Sequence, residues 1–244
     1  LIDGEMIGGL SLKGIIPENA KNVEVLNGEI TERDFPIPSS IASLTISEDV
    51  VIKEIPANAM MNHPNLNSLA IYSPNAYLLG EQAFLGCKSL ETVVIKGATV
   101  LNGYVFKSCP QLKSALFSDI QEIKGNSHFE DCFELTSVSF PSLTSVPSDS
   151  SRIFINCNKL NSIHLPSTPP KTFNSKVFTD VKQQLTLLLP NENDYLTYDD
   201  DESIENDVKN DGFWCGLLLS VNTINIKINQ QREIYKGIKL SDCI

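Results

Sequence analysis

The sequence predicts a right-handed repeat solenoid. A parallel β-sheet runs along one face, short helical or irregular limbs along the other, and a capping segment closes each end. Three observations carry this prediction. First, one segment keeps returning. "AFLGCKSLETVVI" (Ala83 to Ile95) is matched by "VFKSCPQLKSALF" (Val105 to Phe117), "HFEDCFELTSVSF" (His128 to Phe140) and "IFINCNKLNSIHL" (Ile153 to Leu165). Degenerate copies flank these, "AMMNHPNLNSLAI" (Ala59 to Ile71) and "VFTDVKQQLTLLL" (Val177 to Leu189), with His63 and Val181 where the others carry Cys. Second, that position falls at 63, 87, 109, 132, 157 and 181, a period of 22 to 25 residues. A period in the twenties marks a stacked-turn architecture. Third, the apolar residues around it line up in columns that one turn alone cannot bury.

Each column justifies one element. Three places before the Cys position stand Met60, Phe84, Phe106, Phe129, Phe154 and Phe178. In "LGEQAF" and "LNGYVF" this residue follows Leu79 or Leu101 by five places, which is compatible with a helical turn on the limb. Three places after it come Leu66, Leu90, Leu112, Leu135 and Leu160. Six and eight places after it come Leu69/Ile71, Val93/Ile95, Ala115/Phe117, Val138/Phe140 and Ile163/Leu165. That alternation is the period of a short strand with one buried face. Burying one such side chain is worth roughly 1.5–3 kcal/mol, so the stacked columns can hold the array together.

The flanks read differently. Residues 1–48 carry β-like runs ("VEVLNGEI", "SLTISEDVVI") broken by Gly, Pro and Ser, which reads as a cap of irregular strands or the end of an upstream module. The array itself is placed at 49–190, about six turns, and a C-terminal closing element at 191–244. In the latter, "TINIKINQQREIYKGIKL" alternates at Ile224, Ile226 and Ile228 and turns over "NQQRE".

The totals exclude several classes. Formal charge is −11, and no dense Lys/Arg stripe offsets it, so nucleic acid and anionic lipid are not expected partners. Much of the acidity is local: nine acids and one base lie between Asn191 and Asp211. No run approaches 18 uninterrupted apolar residues, so no transmembrane segment is expected. The chain opens on Leu1 without a Met, which fits a processed product whose export signal has been removed.

Catalytic and metal motifs are weak. Cys87, Cys109, Cys132 and Cys157 share one column, so they are expected as reduced, inert core thiols. Adjacent turns bring them within disulfide distance, but parallel side-chain directions make the geometry poor. Zinc would need paired ligands such as C-x-x-C, and none occurs. Cys215 and Cys243 stand outside the column and are candidates to pair with each other. His63 replaces a core Cys, His128 precedes a core Phe, and His164 faces out of the sheet. "GNSHF" lacks the final Gly of a nucleophile elbow. In the acidic run, Asp199, Asp201 and Ser203 fit three positions of a calcium loop, but Ile204 and Asn210 stand where Gly and Glu are demanded. A solvated acidic loop over 199–211 is the simpler reading. No cofactor is expected.

Phe, Cys and Leu at these intervals, with strands ending in a Pro-rich step, resemble the leucine-rich repeats of the BspA type. These occur in surface and secreted proteins of Bacteroides and related bacteria and of some parasitic protozoa. The resemblance covers about Ile55 to Pro190. Family arrays often end in a strand reading roughly "tLyVP", then a Tyr and a Trp. Here "LTLLLP" (Leu185 to Pro190) is followed by Tyr195, Tyr198 and Trp214. The first and last copies lack Cys, and a longer "PSLTSVPSDSSR" loop precedes Cys157. The resemblance implies a non-catalytic protein, exported to the cell surface or secreted, with lipid anchoring through a removed N-terminus as one route. It also implies host-protein adhesion or cell–cell contact.

The face left over for a partner is the outside of the strands. Its candidate columns are Ser68, Thr92, Ser114, Ser137 and Ser162; then Ala70, Val94, Leu116, Ser139 and His164; then Tyr72, Lys96 and Ser118. The hydroxyl column has a structural reading, since Ser and Thr suit the entry to a strand. Its functional reading is a ligand face, because solenoids recognise partners along extended sheets. Small hydroxyls, some apolar residues and little charge suit a protein or glycan, bound by a monomer. The alternatives are a structural spacer in a larger envelope protein, with no ligand of its own, and, remotely, an enzyme with an unrecognised site.

Overall fold

The computed structural model describes residues 15–166 and, beyond them, three strands at 185–189, 224–228 and 232–233. Parallel strands stack in one ten-stranded sheet: β1 (Asn22–Val25), β3 (Ser43–Ile46), β5 (Ser68–Ile71), β7 (Thr92–Ile95), β9 (Ser114–Phe117), β11 (Ser137–Ser139), β12 (Ser162–His164), β13 (Leu185–Leu189) and β14 (Ile224–Ile228). The last member, β15 (Arg232–Glu233), folds back antiparallel on β14. Between these strands lie β2 (Gly28–Ile30), β4 (Val50–Ile52), β6 (Tyr77–Leu79), β8 (Ala98–Leu101) and β10 (Glu122–Ile123). They form a two-stranded and a three-stranded sheet at the opposite corner of the coil. The fold is a leucine-rich-repeat solenoid of parallel strands.

The register is strict. Ser43, Ser68, Thr92, Ser114, Ser137, Ser162 and Thr186 pair in succession, as do Leu44, Leu69, Val93, Ala115, Val138, Ile163 and Leu187. A one-residue slip would turn the buried column out to solvent, so burial of one face enforces this register.

The sheet reaches further toward the N-terminus than the array start expected at 49. β1 and β3 continue it in register, Asn22 opposite Ser43 and Val23 opposite Leu44. Their turns obey the same columns in disguise. Around Pro38, Phe35 stands three places before, Ile41 three after, and Leu44 and Ile46 six and eight after, all buried. Pro38 occupies the position held elsewhere by Cys or His.

The limbs are not α-helices. Among the described residues the only helix is a short 3-10 turn, Glu32–Asp34, closed by a capping box from Thr31. The reason lies in where the limb N–H groups go. In the turn of His63, Ala59, Met61 and His63 donate back within the turn, to Pro56, Asn58 and Met60. The alternate residues Asn58, Met60 and Asn62 donate sideways to the next turn, to Glu81, Ala83 and Leu85, at 3.0, 2.7 and 2.7 Å. A helix sends every N–H along its own axis and has none to spare for a neighbour. The sideways ladder repeats from Gln82, Phe84 and Gly86, from Tyr104, Phe106 and Ser108, and from Ser127, Phe129 and Asp131.

Alternating the N–H directions requires two left-handed residues per limb. Positive φ values of 56–72° recur at Asn58/Asn62, Gln82/Gly86, Tyr104/Ser108, Ser127/Asp131 and Arg152/Asn156. These are five places and one place before each Cys or His position. Gly86 also lies against the neighbouring turn: a Cβ there would meet Asn62 Oδ1 at 2.2 Å.

Inside, the Phe column stacks ring on ring. Phe84–Phe106, Phe106–Phe129 and Phe129–Phe154 have centroids 5.3, 5.6 and 5.6 Å apart with planes within 11° of parallel. Phe117 and Phe140 stack at 5.2 Å from the strand side and meet Phe129 edge-on. The core is thus a two-row aromatic ladder flanked by the fully buried Leu column. Truncating Phe106, which stacks on both sides, is expected to cost about 3–5 kcal/mol. Urea unfolding of Phe106→Ala should show this as a lower midpoint; a shift worth under about 1 kcal/mol would show that the ladder does not hold the array.

Candidate functional site

Strand geometry determines which side chains are free to meet a partner. Along β5, β7 and β9, alternate residues go inward to the core, and the remainder form the sheet's outer face. Ser68, Thr92, Ser114, Ser137 and Ser162 form an unbroken hydroxyl column on that face, half-buried except for the exposed Thr92. The Thr92 hydroxyl donates to Ser68 Oγ at 3.4 Å. Beside them run Ala70, Val94 and Leu116, register neighbours on three adjacent strands. Leu116 is 45% exposed, and Tyr72, at the edge of the same face, is 43% exposed. Lys96 is exposed and Ser118 half-buried.

The C-terminal end of this face is more closed. Ser139 is buried, and its Oγ shares a 3.1 Å hydrogen bond with His164 Nδ1. That pair satisfies itself, so Ser139 offers little to a ligand. The N-terminal end, in contrast, adds residues that the Cys-based alignment does not reach. Asn22 and Ser43 extend the hydroxyl column, and Glu24 and Thr45 extend the Ala70 column. Their signal was present: "SLTI" at 43–46 repeats "SLAI" at 68–71.

The cysteine column has a structural task. Each thiol donates to the Phe-position carbonyl of the preceding turn: Cys87 to Met60 at 3.1 Å, Cys109 to Phe84 at 3.2 Å, Cys132 to Phe106 at 3.2 Å and Cys157 to Phe129 at 3.0 Å. All four are free thiols and buried. Burial pushes Cys109, Cys132 and Cys157 up, Cys132 to about 12. The Cys109 side chain beside it holds Cys87 below the usual thiol value, against the effect of burial. Cys87 is itself fully buried, so this does not make it an accessible nucleophile. His63 takes over the same position with two bonds. Its Nδ1 accepts from the Leu66 N–H at 3.1 Å, which leaves Nε2–H to donate to the Pro38 carbonyl at 3.0 Å. Burial holds its pKa below the usual value, consistent with that neutral tautomer.

Charge on the outside is arranged turn to turn. Glu91–Lys113 and Glu134–Lys159 pair at 2.6 Å, and Lys107–Glu130 at 2.9 Å. The first two pairs are exposed and contribute at most ~1 kcal/mol each, whereas Lys107–Glu130 is half-buried. Among the described residues no group of three His, Cys, Asp or Glu is placed to hold a metal ion. None of their helices is long and apolar enough to cross a membrane. Cys215, Cys243 and the acidic loop 199–211 lie outside the described residues.

Residues 19–128 and 99–200 match the family model described as the BspA type leucine-rich repeat region, in six copies. No curated protein matches the chain. Among solved structures, a leucine-rich repeat protein from Bacteroides ovatus ATCC 8483 is similar at 14% identity, covering 85% of this chain and 74% of that one, with a TM-score of 0.29.

The thiol geometry makes a direct prediction. In native protein, none of Cys87, Cys109, Cys132 and Cys157 should react rapidly with Ellman's reagent. After unfolding without reductant, at least four groups should titrate. Fewer than four would mean that the column carries a disulfide.

Proposed function

The chain belongs to the BspA-type leucine-rich-repeat family, and from that premise we propose that it is a non-catalytic binding protein of the cell surface or secreted space. Its outer sheet face is the contact surface, and a protein is the favoured partner over a glycan. The observation that carries this reading is the apolar strip Ala70–Val94–Leu116 with Tyr72 beside it. The fold does not need it: alternate strand residues on an outward face are free to be polar, as the adjacent hydroxyl column demonstrates. An isolated exposed apolar residue needs no explanation, but neighbours on three adjacent strands form a patch of the kind that marks an interaction site. The low charge around the strip argues against a polyanionic partner, and its few aromatics offer a glycan little to stack on.

Binding of the 244-residue chain to a panel of extracellular host proteins and to a glycan array tests this. A protein hit should weaken at least tenfold with Val94→Glu or Leu116→Glu and persist with Leu78→Glu. Leu78 is 51% exposed and lies on β6, away from this face. A hit that ignores Val94 and Leu116 would overturn the assignment of the face. A clean negative on both panels would favour a spacer module with no ligand of its own.

A further inference from the structure

We propose that the turn from Gly125 to Cys132 is an acid-sensitive joint in the array, released when His128 takes up a proton. The argument begins with a column. Four places before each Cys or His position stand Ala59, Ala83, Val105, His128 and Ile153, and all are buried. Four are apolar, and only His128 carries polar atoms. It is fully buried, and neither Nδ1 nor Nε2 has a hydrogen-bond partner among the described residues. His63, the other buried imidazole, has both nitrogens bonded.

The surroundings give an added proton no counter-charge. Burial dominates and disfavours the charged ring; the backbone groups of Asn102, Gly125 and Lys124 favour the proton but are outweighed, and no charged side chain acts on the ring. The start of the turn lies against its predecessor: a Cβ on Gly125 would lie 3.0 Å from Gly103 Cα. The next residue, Phe129, is stacked between Phe106 and Phe154. An imidazolium here would be a buried, unpaired charge, and the turn must open to hydrate it.

The structure also defines what would open. Six sideways bonds hold this limb. Tyr104, Phe106 and Ser108 donate into it at Asn126, His128 and Glu130; Ser127, Phe129 and Asp131 donate out to Ser151, Ile153 and Ile155. The strand β11 of the same turn is paired on both sides and can stay in place.

The direction with pH follows. Burial lowers the His128 pKa from 6.5 to about 4. The unfolded or opened form therefore binds a proton that the closed form refuses. Stability from this site is full above pH 6.5 and is lost as pH falls toward 4. His63 is lowered too and acts in the same direction. Glu130 is raised by burial, but Lys107 and Ser127 hydrogen bonds and the Lys107 and Arg152 charges outweigh that, so its contribution is lost in the more acidic carboxylate range.

Native-state hydrogen exchange at pH 7.0 and 4.5, corrected for intrinsic rates, tests the proposal. The opening constant for residues 125–132 should rise on the order of 50-fold over this interval, well beyond that for 82–87. His128→Val, which borrows the Val105 residue type, should abolish the excess. An equal rise in both limbs, or an unchanged excess in His128→Val, would overturn it. Should the variant not fold, an NMR titration of the His128 ring in the wild-type chain decides: an inflection near 4 supports the joint, and one near 6.5 with protection unchanged overturns it.

Discussion

The division of backbone N–H groups on the limbs is the constraint from which the rest of this structure follows. A stacked turn must satisfy its own polar groups and also bond to the turns above and below it. The strands do this in the usual manner of a parallel sheet. The limbs have no such ready solution, and they reach one by sending alternate N–H groups inward and sideways. The coil is thereby hydrogen-bonded turn to turn on both walls, with a closely packed aromatic core between them.

The residue pattern follows from that arrangement. Two left-handed positions per limb are tolerated at Asn, Gln, Tyr, Ser, Asp, Arg and Gly because the neighbouring turn holds the backbone on that side. The Met60, Phe84 and Phe129 carbonyls each accept an N–H from their own turn, and the thiol of the following turn fills their remaining capacity. Cys suits the task because it is small, apolar enough to be buried and still a weak donor. Pro38 shows the limit: with its carbonyl bonded by His63, it can stand in the column without donating at all. None of this uses the outer side chains of the sheet, so the candidate face is free of duties to the fold.

What the sequence made legible was whatever the stacking repeats. Phe84, Phe106 and Phe129 occupy equivalent environments, as do the Leu and Cys columns, so each residue type recurs at its interval. The strand alternation and the face columns at Ser68, Thr92 and Ser114 were equally readable. The turns before residue 49 were not, because Pro38 and Ala20 stand in positions where the eye looks for Cys and Leu. The limb conformation was also hidden, since an N–H pointing sideways leaves no apolar period that differs from a single helical turn. Nor could spacing reveal that Ser139 is closed off by His164. That depends on one side-chain pair, which does not recur along the array.

The alternating limb bonds also make each turn interchangeable as a mating part. The limbs from Asn58 to Asp131 present the same donors to their successors, those from Glu81 to Ile155 the same acceptors to their predecessors, and the paired strands share one register. The stretch from the first left-handed residue to the last core residue of the strand keeps a constant length from Asn58–Ile71 to Arg152–Leu165. Differences in repeat length are confined to the corner between them. A whole turn could therefore be duplicated or deleted within a gene without disturbing either joint, lengthening or shortening the outer face by about 4.8 Å each time.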